Sequence, residues 1–241
     1  MDTPSPAPLR AAGKYRHVTR MATRILLIRH GATVLSAEDR FAGSTDVELS
    51  DEGRHQARCL AVRLGQQPLA AVYASPMRRT LETAKIVSTA CQREPLTEAG
   101  LREIDHGRWE GRTRKDVEAC FPEEYGAWEE DPFTFAPEGG ETGLAVMARS
   151  LPVIRAIVLR HPGETVAVVS HKATIRLLLA SLLGFEARGY RDRLDQAPAC
   201  LNVLDFKDAV RARLMLFNDT SHYASHPRHP EEQLSKWWDT K

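Results

Sequence analysis

The sequence predicts an α/β protein: a three-layer α/β/α sandwich around a mainly parallel, mixed sheet. Three observations carry this. Short apolar runs rich in β-formers alternate with helical patterns, which is how parallel strands and crossover helices are laid out along a chain. The runs are apolar throughout, as in strands buried on both faces. Near the C-terminus two apolar runs flank a four-residue connection, which reads as an antiparallel hairpin closing the sheet.

The elements follow in order. Residues 1–22 contain "TPSPAP" and then Arg10, Lys14, Arg16 and Arg20, which predicts a disordered N-terminal extension. No apolar core separates the cations, so this is no secretory signal, although a basic, acid-poor start also resembles a transit peptide. "RILLI" (24–28) is the first strand. Ser50-Asp51-Glu52 supplies a capping hydroxyl and first-turn acids for a helix to about Leu64, with Gly65 as its stop. "AAVYAS" (70–75) is the second strand, and Pro76 suits the first turn of a helix to about Ala90. Residues 105–140 are polar and rich in Trp and Pro. That is long for a connection and reads as a lid or substrate-specificity insertion. Residues 141–160 are helical in pattern, with Pro152 expected to kink or divide the helix. "TVAVVS" (165–170) is the third strand and 172–183 a helix. "CLNVLDF" and "RARLMLF" around "KDAV" form the hairpin, and a polar tail begins near 224. One domain over 23–223 is expected.

Composition narrows the function. The chain has 241 residues and a net charge of +1. Nothing in that balance attracts a polyanion or an anionic membrane, so neither nucleic acid nor membrane is an expected partner. No apolar stretch reaches the ~18–20 residues of a membrane span. The four cysteines, Cys59, Cys91, Cys120 and Cys200, are far apart and form no CxxC, which fits reduced thiols and a cytoplasmic location. His222, His226 and His229 have a spacing open to a metal, but no acid or cysteine completes a set. The hairpin offers an edge strand on which a homodimer could form.

The chemistry gathers at the strand ends. In open α/β sheets ligands bind beyond the carboxyl ends of the strands. RILLI is followed by Arg29, His30 and Gly31; AAVYA by Ser75, Pro76, Arg78 and Arg79; TVAVV by Ser170, His171 and Lys172. Any one histidine there could be a hydrogen-bonded structural residue. Imidazoles and cations repeated on strands distant in sequence call for a shared counter-charge, and an anion with tetrahedral oxygens suits arginine forks.

"LIRHGAT", "RFAGSTDVELSDEGRHQA", "SPMRRTLETA", "LREIDHGRWEG", "GGET" and "VVSHKATIR" together resemble the histidine phosphatase superfamily, in its phosphoglycerate mutase-like branch, over roughly 24–220. The resemblance implies a phosphoglycerate mutase-like fold and a phosphohistidine enzyme that needs no metal or other cofactor. It implies His30 as nucleophile, Arg29 and Arg79 as holders of the phosphoryl oxygens, His171 completing the cradle, and Glu103 as general acid. Arg78 could replace Arg79, because a tandem pair blurs the register, and Glu103 could be a surface partner of Arg102. Ser36 stands where many relatives carry an Asn that contacts phosphate; a hydroxyl can still donate. Gly43 matches the small residue whose N–H approaches the phosphate. His106 stands where mutases have a Tyr and reads as substrate-facing. Arg40 and Lys172 are further phosphate or substrate contacts.

The physical logic agrees with these roles. Phosphate monoester hydrolysis requires on the order of 20 kcal/mol of barrier reduction. A covalent intermediate divides the step, and fixed cations meet the charge on the equatorial oxygens, for which His171 is expected to be protonated. The expected activity is a cofactor-independent phosphatase of small phosphorylated metabolites. The alternatives are a mutase primed by bisphosphoglycerate, a phosphoprotein phosphatase, or a phosphate binder without catalysis. Mutases resemble one another in an Arg-Arg pair after a Trp. Trp128-Glu129-Glu130 stands in that place, and two acids are expected to repel a second anion.

Overall fold

The computed structural model describes residues 22–37, 40–65, 67–89 and 91–224, and the statements that follow concern those residues. The N-terminal extension and the tail beyond 224, with His226 and His229, lie outside them.

The run that begins at Thr23 becomes β1 (Thr23–Arg29), with Ile25 to Ile28 almost wholly buried. After the short α1 (Val34–Ala37) come α2 (Asp51–Leu64), β2 (Leu69–Ala74), α3 (Arg78–Ser88) and β3 (Leu96–Thr97). Then α4 (Arg114–Cys120), α5 (Pro122–Glu130) and α6 (Gly143–Arg160) lead to β4 (Thr165–Ser170), α7 (Lys172–Leu183) and α8 (Tyr190–Arg193). The hairpin β5 (Leu201–Phe206) and β6 (Ala212–Asp219) closes the chain. The strands form one sheet in the order β3-β2-β4-β1-β5-β6. The pairs β3–β2, β2–β4 and β4–β1 are parallel, and β1–β5 and β5–β6 antiparallel. The expected three-layer, mainly parallel, mixed sheet is therefore present.

Alternation along the strands separates two cores. Ile25, Leu27, Tyr73, Val166 and Val168 pack against Ile154 and Ile157 of α6 and Ile175 and Leu178 of α7. Leu26, Ile28, Val72, Ala167 and Val169 face the other way, against Leu60 and Leu64 of α2 and Ala84 and Val87 of α3. Burying each Val, Leu or Ile among them contributes on the order of 1.5–3 kcal/mol, so a polar substitution on either face is costly.

Two helix boundaries or shapes differ from expectation. The helix after β2 begins at Arg78, not at Pro76: Met77 is the extended N-cap, and the Asp46 carboxylate accepts from Arg78 N at 2.8 Å. A carboxylate from another loop thus fixes the first turn. α6 runs unbroken through Pro152. Pro152 lies on the exposed side of the helix, while Val146, Ile154 and Ile157 anchor both flanks in the core. At α2 the Ser50 hydroxyl caps Gly53 N as expected; Gly65 ends the helix in right-handed conformation, its N–H donating to Val62 O.

Residues 105–140 form a packed unit. Thr113 and Asp116 make a reciprocal capping box for α4, and Pro122 opens α5. Phe41, Trp109, Val117 and Trp128 build a separate core, with Phe121, Tyr125 and Phe135 around it. No helix among the described residues is long and apolar enough to cross a membrane.

Candidate active site

Strand register assembles the site. β1 and β4 align Arg29 with Ser170, so His30 and His171 emerge side by side, and His30 N donates to Ser170 O at 3.0 Å. The ring centroids lie 5.2 Å apart. Gly31 follows His30 because a side chain there would strike the Gly53 carbonyl, 2.4 Å from an ideal Cβ.

The tautomers follow from the partners. His30 Nδ1–H donates to Gly31 O at 2.7 Å, which leaves Nε2 with its lone pair. Burial, then the charges of Arg29 and Arg79, push the His30 pKa well below its ordinary value and keep the ring neutral. Arg79 Nε–H donates to His171 Nδ1 at 3.2 Å, so the other His171 proton sits on Nε2 and is donated to Ser75 Oγ at 2.8 Å. Burial, Arg79 and His30 push His171 well down too. The expectation of a protonated His171 is corrected for the free site: an imidazole that accepts from a guanidinium is neutral.

Arg29 is buried; its Nη1 donates to Gln196 O at 2.6 Å, and its Nε has no partner. Burial also lowers its pKa. The tandem arginines are resolved: Arg78 is exposed and pairs with Glu48, whereas Arg79 is almost wholly buried. Arg79 donates to Thr45 O, Gly43 O and Ala42 O at 2.8, 2.9 and 3.3 Å, besides its bond to His171.

Glu103 faces the cavity and not solvent beside Arg102. Its oxygens accept from Ala173 N and Thr174 N, each at 3.1 Å, and from Ile104 N at 3.0 Å. It thereby sits at the N-terminus of α7, whose amides fix the side chain in place.

The Gly43 expectation is overturned. Gly43 N–H donates to the Glu110 carboxylate at 3.0 Å and does not face the cavity. Glycine is required there because an ideal Cβ would stand 1.8 Å from Ile104 O. Sequence reasoning missed Glu110. It accepts from Gly43 N, Ser44 N, Thr45 N, Thr45 Oγ1 and His106 N. Residues 43–45 are thus held by their amides on Glu110 and by their carbonyls on Arg79. Burial alone would raise the Glu110 pKa; donors from Thr45, His106 and Ser44 outweigh it and hold the carboxyl below its ordinary value. Its place in "GRWEG", next to the buried Trp109, was the one available signal.

A cavity of about 150 Å³ opens among Arg29, His30, Arg79 and Glu103. Arg40, His106 and Lys172 also line it. Arg40 donates to Gly111 O at 2.9 Å, and His106 packs edge-on against Phe41 with centroids 4.8 Å apart. Burial lowers the His106 pKa. Ser36 lies on α1, and its side chain is outside the described set. The lining also includes Thr33, Arg114, Trp128, Arg176, Tyr190 and Arg191, which sequence reasoning missed. Arg176 had a signal, as the one charge inside the apolar α7 run. Arg191 had none. The repulsion expected from Trp128-Glu129-Glu130 is also corrected. Trp128 turns inward, while Glu129 and Glu130 are exposed and outside the lining. Glu129 pairs with Arg191, whose guanidinium stacks 4.1 Å over the Trp128 ring. The helical period of α5 separates these neighbours in sequence onto different faces. Among the described residues Glu103 is the sole carboxylate in the lining, against several guanidinium groups.

Residues 25–220 match the histidine phosphatase superfamily (branch 1). The chain is 34% identical over 163 residues to phosphoserine phosphatase 1 of Hydrogenobacter thermophilus, covering 68% of this chain and 77% of that one. It is 34% identical over 168 residues to glucosyl-3-phosphoglycerate phosphatase of Mycolicibacterium vanbaalenii, covering 67% and 74%. The solved structure of Bacillus stearothermophilus YhfR superposes with a TM-score of 0.78 at 32% identity, over 83% of this chain and 99% of that one. Sequence, sheet order and the paired imidazoles at the strand ends lead to one assignment: the chain belongs to the histidine phosphatase superfamily, branch 1, and is a phosphoric monoester hydrolase by type.

Proposed function

We propose that the protein hydrolyses small phosphate monoesters through a phosphohistidine on His30, without a bisphosphate primer. The observation that carries this is the state of His30: neutral, with Nδ1–H tied to Gly31 O and Nε2 unprotonated in a cationic cavity. Nε2 attacks phosphorus as the ester P–O bond breaks, with Arg29 and Arg79 meeting the charge on the equatorial oxygens. A phosphoryl dianion in the cradle also favours proton uptake by His171. Glu103 gives a proton to the departing oxygen. The resulting carboxylate then takes a proton from the water that attacks the phosphohistidine, which releases inorganic phosphate and restores the enzyme.

The names of the relatives point to phosphoserine and glucosyl-3-phosphoglycerate as substrates to assay first. A cavity of about 150 Å³ favours small esters over a phosphoprotein. The cysteines are all free thiols, which suits the cytoplasm. The sheet edge β6, with Met215 and Phe217 partly exposed, is where a homodimer would form.

The test mixes enzyme with a panel of phosphorylated metabolites, with and without bisphosphoglycerate, and quenches for acid-labile, base-stable phosphate. Hydrolysis without primer and label on His30, both absent in His30→Ala, is the expected result. Turnover that requires the primer assigns a mutase.

A further inference from the structure

We propose that Gln196 and Asn202 form a buried amide pair that positions Arg29 for the phosphoryl group, although neither residue lines the cavity. This rests on the hydrolytic reading above, in which Arg29 meets the phosphoryl oxygens.

The segment between α8 and β5 has no helix or strand of its own, yet it holds both residues at the end of β1. Gln196 O accepts from Arg29 Nη1 at 2.6 Å, Cys200 O accepts from Arg29 N at 3.3 Å, and Ala199 N donates to His30 O at 3.0 Å. Ala199 has a φ of +50°, which disfavours any residue with a Cβ. Such a backbone persists where the surrounding contacts over-determine it.

Side chains supply those contacts. Gln196 Nε2 donates to Asn202 Oδ1 at 3.1 Å, and Asn202 Nδ2 donates back to Gln196 Oε1 at 2.8 Å. Asn202 Nδ2 also donates to Leu27 O of β1 at 3.1 Å, and Asn202 Oδ1 accepts from Asn218 N at 2.9 Å. A carbonyl only accepts and a backbone N–H only donates. These two partners therefore fix which way the Asn202 carboxamide lies, and Asn202 fixes Gln196. Asn218 ties the segment from its other side, with Oδ1 accepting from Ala197 N at 2.7 Å. Gln196 and Asn202 are almost wholly buried. Asn202 interrupts an apolar strand at the point where the β5–β6 ladder shifts register, between Leu201 and Val203. A fully satisfied buried network rigidifies what it touches. This one links the β1–β5 pairing to the carbonyl that holds the Arg29 guanidinium.

The test is a double-mutant cycle with Arg29. Gln196→Met and Asn202→Leu remove the pair and leave the backbone acceptor of Arg29 in place. Each is expected to lower kcat/KM for the best monoester of the panel about 10- to 100-fold, the scale of a displacement approaching 1 Å. In an Arg29→Ala background the same changes should cost less than about twofold, because the residue they act through is gone. Near-UV circular dichroism gives the folded fraction that normalises each value. A merely structural role lowers activity by the same factor in both backgrounds; that result, or no loss in either, overturns the proposal. Should Asn202→Leu fail to fold, Gln196→Met decides, since it keeps the Asn202 bonds to Leu27 O and Asn218 N. The same cycle read by calorimetric binding of inorganic phosphate separates the two readings. Coupling in Kd without wild-type turnover keeps the positioning role and ends the hydrolytic reading. Turnover without coupling in either readout does the reverse, and Arg29→Ala with wild-type turnover and phosphate affinity ends the role of Arg29 and the proposal with it.

Discussion

Replacing Glu110 by Gln leaves the side-chain volume almost unchanged and removes the charge on which residues 43–45 hang. The carboxylate accepts from Gly43 N, Ser44 N, Thr45 N, Thr45 Oγ1 and His106 N. A carboxamide presents one oxygen and turns its NH₂ toward donors. Hydrogen bonds to charged groups contribute roughly 1.5–3 kcal/mol each, and partial rearrangement leaves an expected loss of about 2–3 kcal/mol in folding free energy. The carbonyls of the same segment hold Arg79, so the guanidinium proposed to bind the phosphoryl group moves with it. A misplacement of about 1 Å costs on the order of 100-fold in rate, which is the expected fall in kcat/KM. The assay pairs steady-state kinetics with urea unfolding. The Glu110 carboxyl has a depressed folded pKa, so its contribution is present above the unfolded carboxylate value and lost as pH falls through the folded one. The stability gap between wild type and Glu110→Gln should therefore shrink below about pH 4. A variant that loses stability yet keeps kcat/KM within about twofold of wild type would refute the coupling from Glu110 to Arg79.

Other expectations follow from the same geometry. Arg79→Ala should lose about 1,000-fold or more in kcat/KM, on the scale of losing a transition-state donor, whereas Arg78→Ala, on the exposed neighbour, should stay within a few-fold; parallel kinetics decide. Gly43→Ala should fold poorly, with a midpoint lowered by several degrees in a thermal melt, because its Cβ meets the Ile104 carbonyl. The buried neutral rings of His30 and His171 have depressed pKa values, so unfolded chains take up protons first as pH falls below about 6.5. Stability should decline there by up to about 1.4 kcal/mol per pH unit for each ring, and His171→Asn should flatten the slope. By the same shift, the acidic limb of kcat/KM that reports His30 should lie well below pH 6.5.

The sheet was legible because burial on both faces leaves unbroken apolar runs, and the cationic mouth because strand ends converge whatever the loops do. Arg29, His30 and His171 could be placed from their positions at the ends of strands. Gly43 was misassigned because sequence reveals that a side chain is excluded there, not whether phosphate or Ile104 O excludes it. Glu110 and Arg191 act through contacts across the fold, with Thr45 and with Glu129, for which local spacing carries no signal. Glu129 was misread because its orientation depends on where α5 is packed by Trp128.

The aromatic unit of residues 105–140 has its own interior, around Trp109 and Trp128, while the proposed reacting groups His30, Arg79 and His171 stand on the sheet rim and α3. Substrate preference can therefore diverge by exchanging one module, like a tool head on a fixed shaft. Glu110 is a coupling such an exchange must preserve, since it carries the module's fit through residues 43–45 to the Arg79 guanidinium.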